Sequence, residues 1–237
     1  MNKNLLKRIV LTSAIAVLGI STSFAALVME RDQSVDTAPS VGMYRFEVPV
    51  ELQGTYNSAG LANLTASMEK EPNTLSMNVA HVKGNPSESY VVEIYKDLAA
   101  IETHRKSDHY QVFVNEVGSK LTNRKMYDVQ SVLLFEKKDA LSIVNDGKAV
   151  VTLTEFTVDS NEIDTVQRQY QLDMERAVRD DAGYKAGYVL RERNAKNRWY
   201  VIQIYSDQEA LTEHLNSPGY RFMMSQIQGS LQGVTTK

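Results

Sequence analysis

The chain has 237 residues, with 26 Lys and Arg against 29 Asp and Glu for a formal charge of −3, and no cysteine. A mildly acidic chain offers no electrostatic basis for nucleic acid or anionic lipid as a partner. The lack of cysteine excludes disulfides, thiolate nucleophiles, cysteine-ligated zinc and iron–sulfur clusters.

At the N-terminus, Lys3, Lys7 and Arg8 precede an apolar run from Ile9 to Ile20, and Ser23-Phe24-Ala25 places small residues at −3 and −1 of a cleavage site. This is the pattern of a secretory signal peptide (1–25) cut after Ala25, giving a secreted or periplasmic product. The run falls short of the roughly 20 residues a membrane helix needs, so no span is expected after cleavage. Residues 26–42 lack periodicity and read as a flexible leader.

The next elements alternate in type. A strand is expected over Met43 to Glu51, then a helix with Leu61, Leu64 and Met68 on its apolar side, stopped at Glu71-Pro72. LSMNVAH (75–81) and Tyr90 to Tyr95 read as strands, and Asp97 as the N-cap of a short helix. Tyr110, Phe113, Val114, Val117 and Leu121 then form a helical stripe, followed by a last strand from Tyr127 to Glu136. Residues 139–149, with Asn145-Asp146-Gly147, read as a linker.

From Val150 the series begins again. A strand over Val150 to Val158 precedes a helix marked by Ile163, Val166, Tyr170, Met174 and Ala177. YVVEIYKDLAAIETHRKSDHY (90–110) and YVIQIYSDQEALTEHLNSPGY (200–220) share nine of 21 positions without a gap, at an offset of 110. So long a period marks a duplicated domain rather than a solenoid repeat. The order implies an α+β protein of two ferredoxin-like, split βαβ domains, 43–138 and 150–237. Adding 110 to Tyr127 reaches the last residue, so the second domain is expected to lack its final strand. Its open edge should then be covered by the leader or the linker, since bare edges aggregate.

The blocks EPNTLSMNVAH (71–81), VVEIYKDLAAIETHRKSDHYQVF (91–113) and VIQIYSDQEALTEHLNSPGYRFM (201–223) resemble the antibiotic biosynthesis monooxygenase (ABM) family of the dimeric α+β barrel superfamily. The resemblance implies two domains packed sheet against sheet as a pseudo-dimer, open to a further homodimer. It also implies oxidation of a quinol or phenolic molecule by O2 without flavin, metal or other cofactor. Such a site needs an apolar pocket, a proton acceptor and little else. A haem-degrading branch of the superfamily pairs a Trp and a His ten residues apart; His104 with Val114, and His214 with Met224, do not match it.

His104 and His214 are the candidates for the proton step, since imidazole titrates nearest neutrality. Each follows an apolar helix position by three residues, so each points inward, as a base or as a bond fixing the helix turn. Tyr95 and Tyr205 close the third strands as further catalytic candidates, with Glu93 and Gln203 on the same face at period two. His81, Tyr90 and Trp199 complete the substrate-binding candidates, Trp199 either stacking a planar ligand or filling the core. His104 and His109 are five apart across an expected helix break, and no carboxylate cluster completes a ligand set, so no metal is expected. The alternative to an enzyme is a module of the same fold that binds a small aromatic or apolar ligand, or a partner, without turnover. The N-terminal pattern predicts that N-terminal sequencing of the exported protein reads from Ala26; an intact Met1 would refute cleavage.

Overall fold

The computed structural model describes residues 8–12 as backbone, 39–137 and 148–237. The cleavage site, residues 26–38 of the leader and 139–147 of the linker lie outside the described residues. The chain divides into two compact units. Among the described residues, no helix is long and apolar enough to cross a membrane.

The first unit contains strands β1 (Arg8–Thr12) and β2 (Ser40–Glu47), helix α1 (Gln53–Lys70), strands β3 (Thr74–Val82) and β4 (Asn85–Tyr95), helices α2 (Leu98–Arg105) and α3 (Asp108–Glu116), and strand β5 (Thr122–Tyr127). Its sheet order is β1-β3-β4-β2-β5. All neighbours are antiparallel except β1, which runs parallel to β3 from Arg8 opposite Ser76 to Thr12 opposite Ala80. Alternation along β4 sends Val91, Glu93 and Tyr95 to the helix side. There Val91 and Tyr95 pack with Tyr56, Leu64 and Met68 of α1. Val92 and Ile94, on the opposite face, are buried as well.

The helix ends follow local chemistry. Asp97 accepts the Ala100 N–H at 2.9 Å and caps α2, while Ser107 accepts the Tyr110 N–H and caps α3. Helix α1 stops where Pro72 forces Glu71 into extended geometry, at φ −103° and ψ 99°.

The second unit contains β6 (Val129–Glu136), β7 (Val150–Val158), α4 (Ile163–Asp180), β8 (Tyr184–Glu192), β9 (Arg198–Tyr205), α5 (Gln208–Asn216), α6 (Pro218–Ile227) and β10 (Leu231–Thr236). Its sheet order is β10-β7-β9-β8-β6, antiparallel throughout. Phe135 of β6 belongs to the core formed by Phe156, Tyr170, Met174 and Trp199.

Two strand expectations differ from the structure. The segment expected as one last strand of the first copy is two strands broken at Asp128. Strand β5 pairs with β2 in the first sheet, whereas β6 pairs with β8 in the second. Composition explains the break. TNRKMY is a polar, largely exposed edge, whereas Leu133, Leu134 and Phe135 are buried in succession and need a sheet covered on both faces. The second copy also has its edge strand: β10 repeats β5 at the 110-residue offset. The free edges of β7 and β8 are thus covered by β10 and β6, not by the leader or the linker. The edge at the place corresponding to β6 belongs to β3, where β1 pairs.

Phe135→Ala should cost about 3–5 kcal/mol of the second unit's stability. Urea unfolding followed by Trp199, the only tryptophan, would report it, and an unmoved midpoint would place β6 outside that core.

Candidate active site

Helix α1, the helix side of β2–β4 and the start of α3 enclose a cavity of about 90 Å³ in the first unit. Its apolar lining includes Phe46, Leu64, Met77, Val79, Val91 and Phe113, and its polar lining includes Tyr44, Asn63, Glu93, Tyr95, His104, Arg105 and Tyr110. Gly60 of α1 opens the wall: a β carbon there would meet nothing closer than Phe113 at 3.8 Å.

His104 is 1% exposed. Its Nδ1 lies 3.1 and 3.2 Å from the two carboxylate oxygens of Glu71 and 3.3 Å from Ser67 Oγ. Glu71 also accepts from Thr74 Oγ1 at 2.5 Å and from His109 Nε2 at 2.7 Å. Burial acts to raise the Glu71 pKa. The hydrogen bonds from His104, Thr74 and His109, with the charge on His104, outweigh it and hold the carboxyl at about 2. An ionised Glu71 can only accept, which assigns the proton of a neutral His104 to Nδ1. Nε2 is then a bare lone pair, buried and without a partner.

Glu93, half-buried, is the acid in the cavity lining. Burial drives its pKa up, opposed by the charge of His104 and by the Tyr95 hydroxyl, which donates to Oε2 at 3.0 Å. The Tyr95 phenol is itself pushed far above its ordinary value by burial and by Glu93, so it acts as a neutral donor. Tyr44, raised to about 12 chiefly by burial, bonds Arg105.

The other sequence candidates stand elsewhere. His81 has both ring nitrogens engaged, with the Pro86 carbonyl at 2.9 Å and Asn57 Oδ1 at 3.0 Å, and does not line the cavity. Tyr90 lies on the opposite face of β4 from Glu93 and donates to Glu88 at 2.9 Å. Trp199 is fully buried in the second core, its indole N–H on the Lys196 carbonyl at 2.9 Å.

At the 110-residue offset, the second unit fills the same frame differently. Tyr170 stands where the first unit has Gly60 and stacks on Phe156 at 5.9 Å. His214 has Nδ1 2.9 Å from Asp181, while its Nε2 lies 3.4 Å from both Asp173 and Gln203. Tyr205 is fully buried, with no partner for its hydroxyl. The two histidines share a position but not a role: only His104 keeps a nitrogen unengaged.

Sequence reasoning missed Glu71, Asn63, Tyr44 and Arg105. Glu71 was read only as a helix stop, although its counterpart Asp181 is also acidic. The expectation of no metal-ligand set also fails, because the fold brings the carboxylate of Glu71 to His104 and His109 from a distant part of the chain.

Glu71→Gln should lower stability at neutral pH by about 1–3 kcal/mol, by removing the acceptor of three donors. Because the folded pKa lies below the ordinary carboxylate value of 4.5, this stabilisation is complete above that value. It is lost as pH falls toward about 2, so denaturation curves of wild type and variant should converge over that window.

The sequence profile described as antibiotic biosynthesis monooxygenase matches residues 41–116 and 149–225. The fold is similar to that of a candidate monooxygenase from Lactobacillus acidophilus NCFM, with TM-score 0.78 and 19% identity over 84% of this chain and 92% of that one. A candidate monooxygenase from Fusobacterium nucleatum is similar, with TM-score 0.74 and 21% identity over 84% and 90% of the two chains. Among curated proteins no match was found.

Proposed function

Because the chain belongs to the antibiotic biosynthesis monooxygenase family, we propose that its first unit oxidises a small quinol or phenol with O2, with His104 as the base. The observation that carries this is the unengaged, buried Nε2 of His104 in a residue lining the cavity. In this reading Nε2 takes the phenolic proton, and the imidazolium that forms is stabilised by the ionised Glu71 at 3.1 Å. The resulting phenolate is electron-rich enough to pass electrons to O2. Glu93, its pKa raised by burial, presents a donor to the oxygen-bearing side of the ring when protonated, and Tyr95 holds it in place through its hydrogen bond to Oε2.

Cavity size limits the substrate. At about 90 Å³ it is smaller than the roughly 150 Å³ that holds a benzene, so one ring enters only as rim side chains give way. Arg105 is exposed and Tyr110 half-buried, and these are the groups free to move. A single-ring hydroquinone fits this reading better than a polycycle. The second unit, with Tyr170 and a fully engaged His214, supports the fold rather than the chemistry. The basic-then-apolar N-terminus supports an exported site of action.

Oxygen uptake by metal-stripped protein with a panel of hydroquinones tests the reading. His104→Gln should lower kcat by about 10²–10⁴-fold, the usual contribution of a positioned base. His214→Gln should leave turnover within about twofold of wild type. Absence of turnover in the wild type would leave a binding module instead, and full activity in His104→Gln would remove His104 as the base.

A further inference from the structure

Behind His104, on the side away from its free nitrogen, stands a cluster that the proposed oxidation does not require in full. We propose that Glu71, His104 and His109 form a binding site for a divalent transition metal of the Zn²⁺ or Co²⁺ type. The three residues come from the end of α1, from α2 and from the first turn of α3. One ligand atom from each lies within 4.8 Å of the other two. Two imidazoles and a carboxylate are the donor set these ions accept, with room for a water in the open position.

The spacing suits an ion. Bonds of about 2.0–2.2 Å keep neighbouring ligand atoms roughly 3 Å apart. Glu71 Oε1 lies 3.1 Å from His104 Nδ1 and 2.7 Å from His109 Nε2, and the two ring nitrogens lie within 4.8 Å of each other, so an ion replacing the bridging protons draws the two imidazoles together. His109 is the outermost of the three, its side chain 15% exposed against 2% and 8% for His104 and Glu71, which makes it the entry side.

The second unit supplies an independent observation. There the acid corresponding to Glu71 is Asp181, and Arg176 bonds it at 2.6 Å while reaching Asp173 at 3.0 Å. The position of His109 is held by Gly219, where a β carbon would lie 2.1 Å from Arg176 Nε. The residue corresponding to Arg176 in the first unit is Ala66. The two units differ in the second group that bonds the acid. One has a fixed guanidinium from the helix and no side chain opposite. The other has a small residue in the helix and an imidazole opposite. Each acid bonds the histidine of the next helix, but only the first unit adds a second imidazole, where the second unit has a guanidinium.

Binding has a consequence for His104, which rests on its proposed role as base although the binding itself does not. A metal on Nδ1 leaves the imidazole proton on Nε2, so the cavity would face a donor instead of an acceptor. Metal-loaded protein should then lose oxygen uptake.

Titration of chelator-treated protein with Zn²⁺ alone, followed by calorimetry, and with Co²⁺, followed by its visible absorption, tests the site without any substrate. The expected result is one ion per chain and a Co²⁺ spectrum of low-symmetry nitrogen and oxygen ligation. His109→Gly should weaken binding at least tenfold. The double variant Ala66→Arg, His109→Gly, which reproduces the second unit, should abolish binding while circular dichroism stays unchanged. His214→Gln should bind as wild type does. No uptake by the wild type, or wild-type affinity in both His109→Gly and Glu71→Gln, would overturn the site, whatever the oxygen assay shows.

Discussion

A carboxylate at the end of the long helix of each unit has to be neutralised, and much of the surrounding structure follows from that. Glu71 and Asp181 sit where the helix stops, largely withdrawn from water, and an unpaired charge there would be strongly destabilising. Each acid bonds the histidine of the next helix, at 3.1 Å in the first unit and 2.9 Å in the second. The bond draws α2 and α5 onto the ends of α1 and α4. It also orients each imidazole and decides which nitrogen carries the proton.

From that shared frame the two units diverge through few residues. Gly60 against Tyr170 decides whether the space between helix and sheet is open or filled. Asn63 against Asp173 and Glu93 against Gln203 decide what the far nitrogen of the histidine meets. In the second unit that nitrogen has neighbours at 3.4 Å, while in the first it has none. Duplication lets one copy serve stability while the other tolerates an open cavity and an unengaged nitrogen, both of which are costly in a core.

The strands show a second asymmetry. The first copy contributes β6 to the second sheet, and among the described residues the first sheet holds no strand of the second copy. The second sheet is closed on that side by β6, whose Leu133, Leu134 and Phe135 are buried, whereas in the first β3 holds that edge and pairs with β1, which lies within the segment expected to be cleaved. The duplication is therefore close in its helices and central strands and broken at its edges.

The sequence by itself determined the duplication, the helices and central strands of each copy, the cap at Asp97, repeated at Asp207, and membership of the family. All of these rest on hydrogen bonds and apolar periods within a few residues of one another. It could not say which sheet receives Val129–Glu136, because an apolar strand pairs equally well with any edge that offers the right register and cover. Nor could it bring Glu71 to His104 and His109, which lie 33 and 38 positions further along the chain. Their meeting depends on how α1, α2 and α3 pack on the sheet. Tertiary structure alone decided that one histidine is fully bonded and its repeat is not, since that difference lies in the neighbours and not in the residue.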